Sequence, residues 1–410
     1  MFERAEALPV GEIDSRIENV QSVLQEKKPE VSGLLISARL NLYYLTGTLG
    51  QGVLWVPIQG KPVLMVRKGL ERAKLESPLE NICRFKSYAE IAGLAKDFGS
   101  PIGDVVAIEK GGMSWQMGEM LTARMKGVSF VGGDGILAQV RSVKSPYELE
   151  MLRIAGTAHA ESVEVELPKA ISAGMSEYVV STTLWDIYFS RGHQGVLRMG
   201  AYGEESFLGH VCAGDSGNYP SAYNGPLGIR GVSPAAPCMG SRQRVWNEGM
   251  ILSVDTGFGH AGYHTDKTQV FWAGKRVSEH VYKAHSVAVE IIEYLAGSLK
   301  PGAVPEELYT RSLEMAAAAG YEEGYMGLGE NKVPFVGHSI GLVIDETPVL
   351  AKRFTEPLQE GMVIALEPKI GLAGVGMVGP ENTFEVTAAG GRSLTGEHFQ
   401  IICVEQDSAR

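Results

Sequence analysis

Nowhere does the chain carry an apolar run approaching the ~20 residues that a membrane-spanning helix needs. It also lacks any block of lysine or arginine that could track phosphates, and its formal net charge of −11 argues against nucleic acid as a partner. Cysteine is scarce. Cys83, Cys212, Cys238 and Cys403 are scattered with no CxxC spacing, and they read as small packed hydrophobes of a reducing compartment. The first residues, MFERAEALPVGEIDSR, are charged where a secretory leader is apolar. The expectation is a cytoplasmic protein with no membrane and no nucleic acid among its partners.

The remaining composition is that of a globular chain, 44% hydrophobic and 21% charged. A length of 410 residues exceeds one typical core, so two domains are expected. In the first, residues 1–139, strand-like VSGLLIS, VLWVPIQGKPVLMV, DVVAIEK and VSFVGG alternate with helical pieces such as GLERAKLES, the pattern of a compact α/β domain. It holds no titratable cluster and reads as a structural or substrate-covering domain. The second domain, residues 140–410, opens on a long amphipathic helix announced by Ser145 as N-cap, Pro146 at the first helical position and Glu148 at the third.

The stretch ILSVDTGFGHAGYHTDKTQVFWAG places Asp255 and Asp266 in two apolar, β-branched flanks around Gly259 and Gly262. With the turn centred on His260-Ala261, the two aspartates face each other across a hairpin with Cβ atoms about 4.5–5.5 Å apart. Like charges that close need a proton or a cation. The oddity repeats in VIALEPKI and ENTFEVT, where Glu367 and Glu381 lie equally far from Gly374. Each hairpin follows two helices, one entered through Gly174 and Glu177, the other through Gly302 and Glu306, so a duplicated helix-helix-hairpin unit around a pseudo-twofold axis is expected. His338, in FVGHSIGLVIDETP, adds an imidazole to the four carboxylates. Such a hard donor set suits two divalent ions, Mn, Fe, Co or Zn, which can hold a bridging water, lower its pKa and polarise a carbonyl.

These motifs resemble the pita-bread metallopeptidases, the family of Xaa-Pro aminopeptidase, prolidase and methionine aminopeptidase, whose metal ligands run Asp, Asp, His, Glu, Glu in chain order. Asp255 falls in the VDTG element, Asp266 in GYHTD, His338 in GHSIG, Glu367 in GMVIALEP and Glu381 in GPENTFEVT. LNLYYLTG followed by PVLMVRKG resembles the creatinase-type N-terminal domain, which methionine aminopeptidases lack. The resemblance implies an α+β pita-bread catalytic fold behind a smaller α/β domain, and a homodimer. It implies removal of the N-terminal residue of peptides, before proline in the Xaa-Pro enzymes, by attack of a metal-bridging hydroxide. Asp255 would chelate one ion, Asp266 and Glu381 would bridge both, His338 and Glu367 would complete the second, and Glu367 would shuttle the proton.

The pattern departs from the family at two substrate-side histidines outside the metal cage, whose places are taken by Cys238 and Asp345. Loss of one such donor costs roughly 10²–10³ in rate. His264, two positions before Asp266 and hence on the same strand face, is one candidate to replace them, and Tyr223 and His210 in the preceding loops are others. The altered shell leaves open a non-peptidase enzyme on the same fold, a small-molecule metal-dependent lyase or a creatinase-like hydrolase. Retention of all five ligand types argues against a pure binding module.

Overall fold

The structure, a computed structural model, describes residues 2–3, 8–200 and 204–405. The chain divides into two compact units, Met1–Arg141 and Ser142–Arg410.

In the first unit β1 (Gly33–Ile36), β2 (Gln51–Pro57), β3 (Val63–Lys68), β4 (Ile82–Arg84), β5 (Val105–Ile108) and β6 (Ser129–Gly132) form one sheet in the order β4-β3-β2-β1-β5-β6. The hairpin β2–β3 is antiparallel, whereas β1, β5 and β6 run parallel through helical crossovers. A strand covered on both faces needs a continuous apolar run, and β1, GLLI, is buried along its whole length.

The second unit opens on the helix Pro146–Ala160, and the cap is the one expected. Glu148 N donates to Ser145 Oγ and Ser145 N donates to Glu148 Oε2, both at 3.1 Å. A second helix, Glu177–Ser190, is capped by Ser176. After the short ribbon β7 (Leu197–Arg198) with β8 (Glu205–Ser206) come β9 (Gly209–Ala213), β10 (Ile251–His260) and β11 (Tyr263–Ala273). The order then repeats. Helices Glu279–Ser298 and Pro305–Ala318 lead into β12 (Phe335–Ser339), β13 (Glu346–Ala351), β14 (Val363–Leu366), β15 (Ile370–Leu372), β16 (Gly376–Val378), β17 (Asn382–Thr387) and β18 (Gly390–Ser393). One sheet is β19-β11-β10-β9, with β19 (Ile402–Val404) on its edge, and the other is β13-β12-β14-β17-β18.

The first hairpin corrects the expected register. His260 pairs with Tyr263, so the two turn residues are Ala261 and Gly262, with φ of 48° and 93°. A two-residue turn between right-twisted strands needs positive φ at both central positions, and that requirement moves the turn one residue along. Asp255 therefore faces Thr268, and Asp266 faces Gly257. The aspartates are diagonal neighbours on one face, a spacing of roughly 7–8 Å along the backbone. In the second hairpin Leu366 pairs with Asn382, which puts Glu367 and Glu381 next in the same register, just past the last paired residues.

Candidate metal centre

One pair of backbone hydrogen bonds and one side chain fasten the two sheets together where the carboxylates stand. Thr268 N donates to Glu381 O at 3.1 Å, and Glu381 N donates to Thr268 O at 3.2 Å. Beside them Asp266 N donates to Thr383 Oγ1, whose hydroxyl donates to Asp266 O, each at 2.9 Å. The peptide groups of both acidic residues are thus held before their side chains do anything. Asp255 is set by a third strand. It lies opposite His210 on β9, and the neighbouring Gly209 has φ of 120° and comes so close that a Cβ there would meet the Asp255 carbonyl oxygen at 2.3 Å. Only glycine fits that approach.

The donor atoms of Asp266, His338 and Glu381 lie within 4.8 Å of one another. His338 Nδ1 lies 3.1 Å from the Ser339 carbonyl oxygen. A carbonyl only accepts, so Nδ1 carries a proton toward it, and Nε2 faces the carboxylates, 3.8 Å from Glu367 Oε1. Thr268 Oγ1 donates to Glu381 Oε2 at 3.0 Å and orients that carboxylate. Burial, and then repulsion from Glu381, Asp255 and Glu367, pushes the Asp266 carboxyl well above the usual range. Glu367 is raised in the same way by burial and by Glu381, and Glu381 by burial and by Asp255. Acids this reluctant to ionise together are a demand for positive charge.

Part of that demand is met within the chain. Lys369 Nζ donates to Glu381 Oε2 at 2.9 Å and lies 3.7 Å from both Asp255 Oδ2 and Glu367 Oε2, with a side chain only 1% exposed. Burial alone would drive the ammonium toward neutrality, but Glu381, Asp255 and Glu367 outweigh it and hold the Lys369 pKa above the ordinary lysine value.

A cavity of about 80 Å³ opens onto these groups. Asp255, Asp266, His338, Glu367 and Glu381 line it, together with His210, Tyr223 and Asp345. Burial pushes the His210 imidazole down, against the pull of Asp255, and its ring centroid is 5.0 Å from that of Tyr223. Tyr223 donates its hydroxyl to Glu205 O at 2.6 Å, and its pKa is pushed up to about 12 by burial, with the Cys238 thiol next among the causes. Cys238 therefore sits behind Tyr223 and does not line the cavity. Asp345 Oδ1 lies 3.8 Å from His338 Nδ1.

His264 is the expectation that fails. Strand alternation does put it on the Asp266 face, but its ring is fully buried away from the cavity, with Nε2 3.1 Å from Val196 O and Nδ1 3.3 Å from Gly341 O. Burial lowers its pKa to about 4, so it stays a neutral packing residue. Lys369 and Thr268 are the residues sequence reasoning missed. The available signal was a lysine two positions after Glu367, between two apolar strands.

Residues 150–388 match metallopeptidase family M24, and residues 16–143 match the creatinase/prolidase N-terminal domain. The chain is 24% identical over 389 residues to the Xaa-Pro dipeptidase of Pyrococcus furiosus, covering 94% of this chain and 99% of that protein. It is 25% identical over 386 residues to the probable dipeptidase PepE of Mycobacterium tuberculosis, covering 91% and 92%. Among solved structures, dipeptidase PepE from Mycobacterium ulcerans shares the fold with a TM-score of 0.78 at 20% identity, over 98% of this chain and 100% of that one. The X-Pro aminopeptidase from Thermotoga maritima gives 0.76 at 22%, over 95% and 99%.

Proposed function

The chain belongs to metallopeptidase family M24, and from that premise we propose that it removes the amino-terminal residue of short peptides, with Xaa-Pro dipeptides as its leading substrates. The observation that carries this reading is the convergence of Asp266, His338 and Glu381 donor atoms within 4.8 Å at the floor of a cavity. Oxygen and imidazole donors suit a divalent ion such as Mn, Fe, Co or Zn, and the Nε2 of His338 facing the mutually repelling carboxylates fits one. A divalent ion held by Asp266, His338, Glu367 and Glu381 would polarise the scissile carbonyl and make water nucleophilic near neutral pH. The family resemblance implies two such ions.

The chain's own groups divide the remaining work. Glu367, raised by burial and by Glu381, is suited to receive a proton from the attacking water and hand it to the leaving nitrogen. Asp255 and Asp345 give the cavity wall a negative character that favours a free α-ammonium, which selects the amino end of a peptide. His210, held neutral by burial, can donate one N–H to a substrate carbonyl, and Tyr223 fixes the ring beside it. A cytoplasmic homodimer is part of the same reading, supported by the family resemblance and by four free cysteines.

The test is chelation, reconstitution with Mn, Co, Fe(II) or Zn in turn, and a panel of Xaa-Pro dipeptides, longer Xaa-Pro peptides and non-proline peptides. Release of the first residue is expected, and it should vanish after chelation and in His338→Ala. A protein that binds metal and cleaves no peptide would sink the peptidase reading. That outcome favours a small non-peptide substrate, the alternative raised by Cys238 and Asp345 in place of two histidines.

A further inference from the structure

From the position of Lys369 we infer that its ammonium takes the place of one metal ion, so that the centre is built for a single divalent cation beside a fixed internal cation. The inference rests on the metal-dependent reading above and concerns how many ions the cage admits.

Three observations lead to it. Lys369 Nζ is already bonded to Glu381 Oε2 at 2.9 Å and stands 3.7 Å from Asp255 Oδ2. Those are the two carboxylates that a first ion would need, together with Asp266. An ion bonding Glu381 Oε2 at about 2.0–2.2 Å would stand no more than about 5 Å from the ammonium, two cations competing for one oxygen.

The lysine has little room to withdraw. Its side chain is 1% exposed, and its carbonyl accepts from Met326 N at 2.9 Å. Pro368 precedes it, and the backbone packs so closely on Gly379 that a Cβ there would meet Pro368 O at 2.1 Å and Lys369 Cα at 3.0 Å.

Lys369 Nζ also stands 3.7 Å from Glu367 Oε2, but the other side of the cage keeps donors that the lysine does not bond. Asp266, His338 and Glu381 keep donor atoms within 4.8 Å of one another, and Glu367 Oε1 is 3.8 Å from His338 Nε2. Four donors without Asp255 are a full set for one ion. In charge terms, the ammonium and one divalent ion offset most of the four carboxylates, whereas a second ion would put three cations into one small buried space. Asp255 then becomes the counter-ion of Lys369 in place of a ligand.

The experiment counts metal. Full-length protein, chelated and then saturated with Mn²⁺, is desalted and its manganese measured by elemental analysis, with calorimetric titration and electron paramagnetic resonance on the same samples. The expected result is about one ion per wild-type chain with an uncoupled manganese spectrum, and about two spin-coupled ions in Lys369→Gly and Lys369→Met. Asp255→Asn should leave the wild-type count unchanged and lower that of Lys369→Gly from two to one. Two ions in the wild-type chain would overturn the inference and leave metal dependence standing, whether or not the variants fold. Folded Lys369 variants that still hold one ion would overturn it too. No ion in any chain would remove the metal-dependent reading itself, and this inference with it.

Discussion

Lys144→Met tests how the loop after His338 is held. Lys144 Nζ is 3.1 Å from Glu346 Oε2, 3.2 Å from Ser339 Oγ and 3.4 Å from Ser142 O, which uses all three ammonium donors. The two ends of the pair are 1% and 6% exposed. Glu346 Oε1 in turn accepts from Leu342 N at 3.0 Å and Val343 N at 3.3 Å, so the pair pins the loop between His338 and Asp345. Breaking a buried pair from one side costs about 3–5 kcal/mol, because the surviving charge loses its main compensation. Here Glu346 keeps its two backbone donors on Oε1, which places the expected loss near the low end, about 3 kcal/mol. Urea unfolding, followed by hydrogen exchange in peptides from residues 142–410, measures this unit separately. Adding Glu346→Gln to Lys144→Met should cost about 1–2 kcal/mol less than the sum of the two single changes, a coupling that a double-mutant cycle reads directly. A loss under about 1 kcal/mol, or a strictly additive cycle, would refute the view that this pair holds the loop.

Other perturbations separate the site from its scaffold. Gly209→Ala forces a side chain onto a φ of 120° and against the Asp255 carbonyl oxygen, so a loss of about 1–3 kcal/mol in thermal or urea unfolding is expected, with weaker substrate binding because Asp255 is displaced. Chelation at a metal concentration 100-fold above Kd should lower stability by about 2.7 kcal/mol, seen as a fall in Tm that fresh metal reverses. His285, whose Nε2 lies 2.7 Å from Phe399 O, has its pKa lowered to about 4 by burial. Its folded pKa is below its unfolded value near 6.5, so its contribution is whole above about pH 6.5 and is lost as pH falls toward 4, at most about 3 kcal/mol. His285→Gln should therefore flatten the rise of stability with pH across that window relative to wild type, and an unchanged slope would show that His285 does not titrate there.

Some parts of this molecule could be read from residue types because their physics is local. The helix at Pro146 was legible because a capping box needs only Ser145 and Glu148 three residues apart. The acidic residues stood out because carboxylates in apolar strands are expensive unless compensated. The Asp255–Asp266 offset was not legible, since it turns on Ala261 taking φ of 48°, which its residue type does not announce. Nor was the fate of His264, because alternation fixes a side chain's face and says nothing of carbonyls such as Val196 and Gly341 that arrive from elsewhere to occupy it. Lys369 was passed over for the same reason. A lysine at a strand end ordinarily lies in water, and only the finished arrangement shows three carboxylates around its tip.

The acidic groups of the cavity come from strands far apart along the chain, Asp266 on β11 and Glu381 just before β17, and the hydrogen bonds that fasten them form only when both hairpins are complete. No fragment of the unit can present the cage, so on the proposed function a metal ion would arrive after the slow non-local pairing steps and could not nucleate them. Loading should leave the folding rate nearly unchanged while lengthening the lifetime of the native state, acting as a latch on a structure that has already assembled.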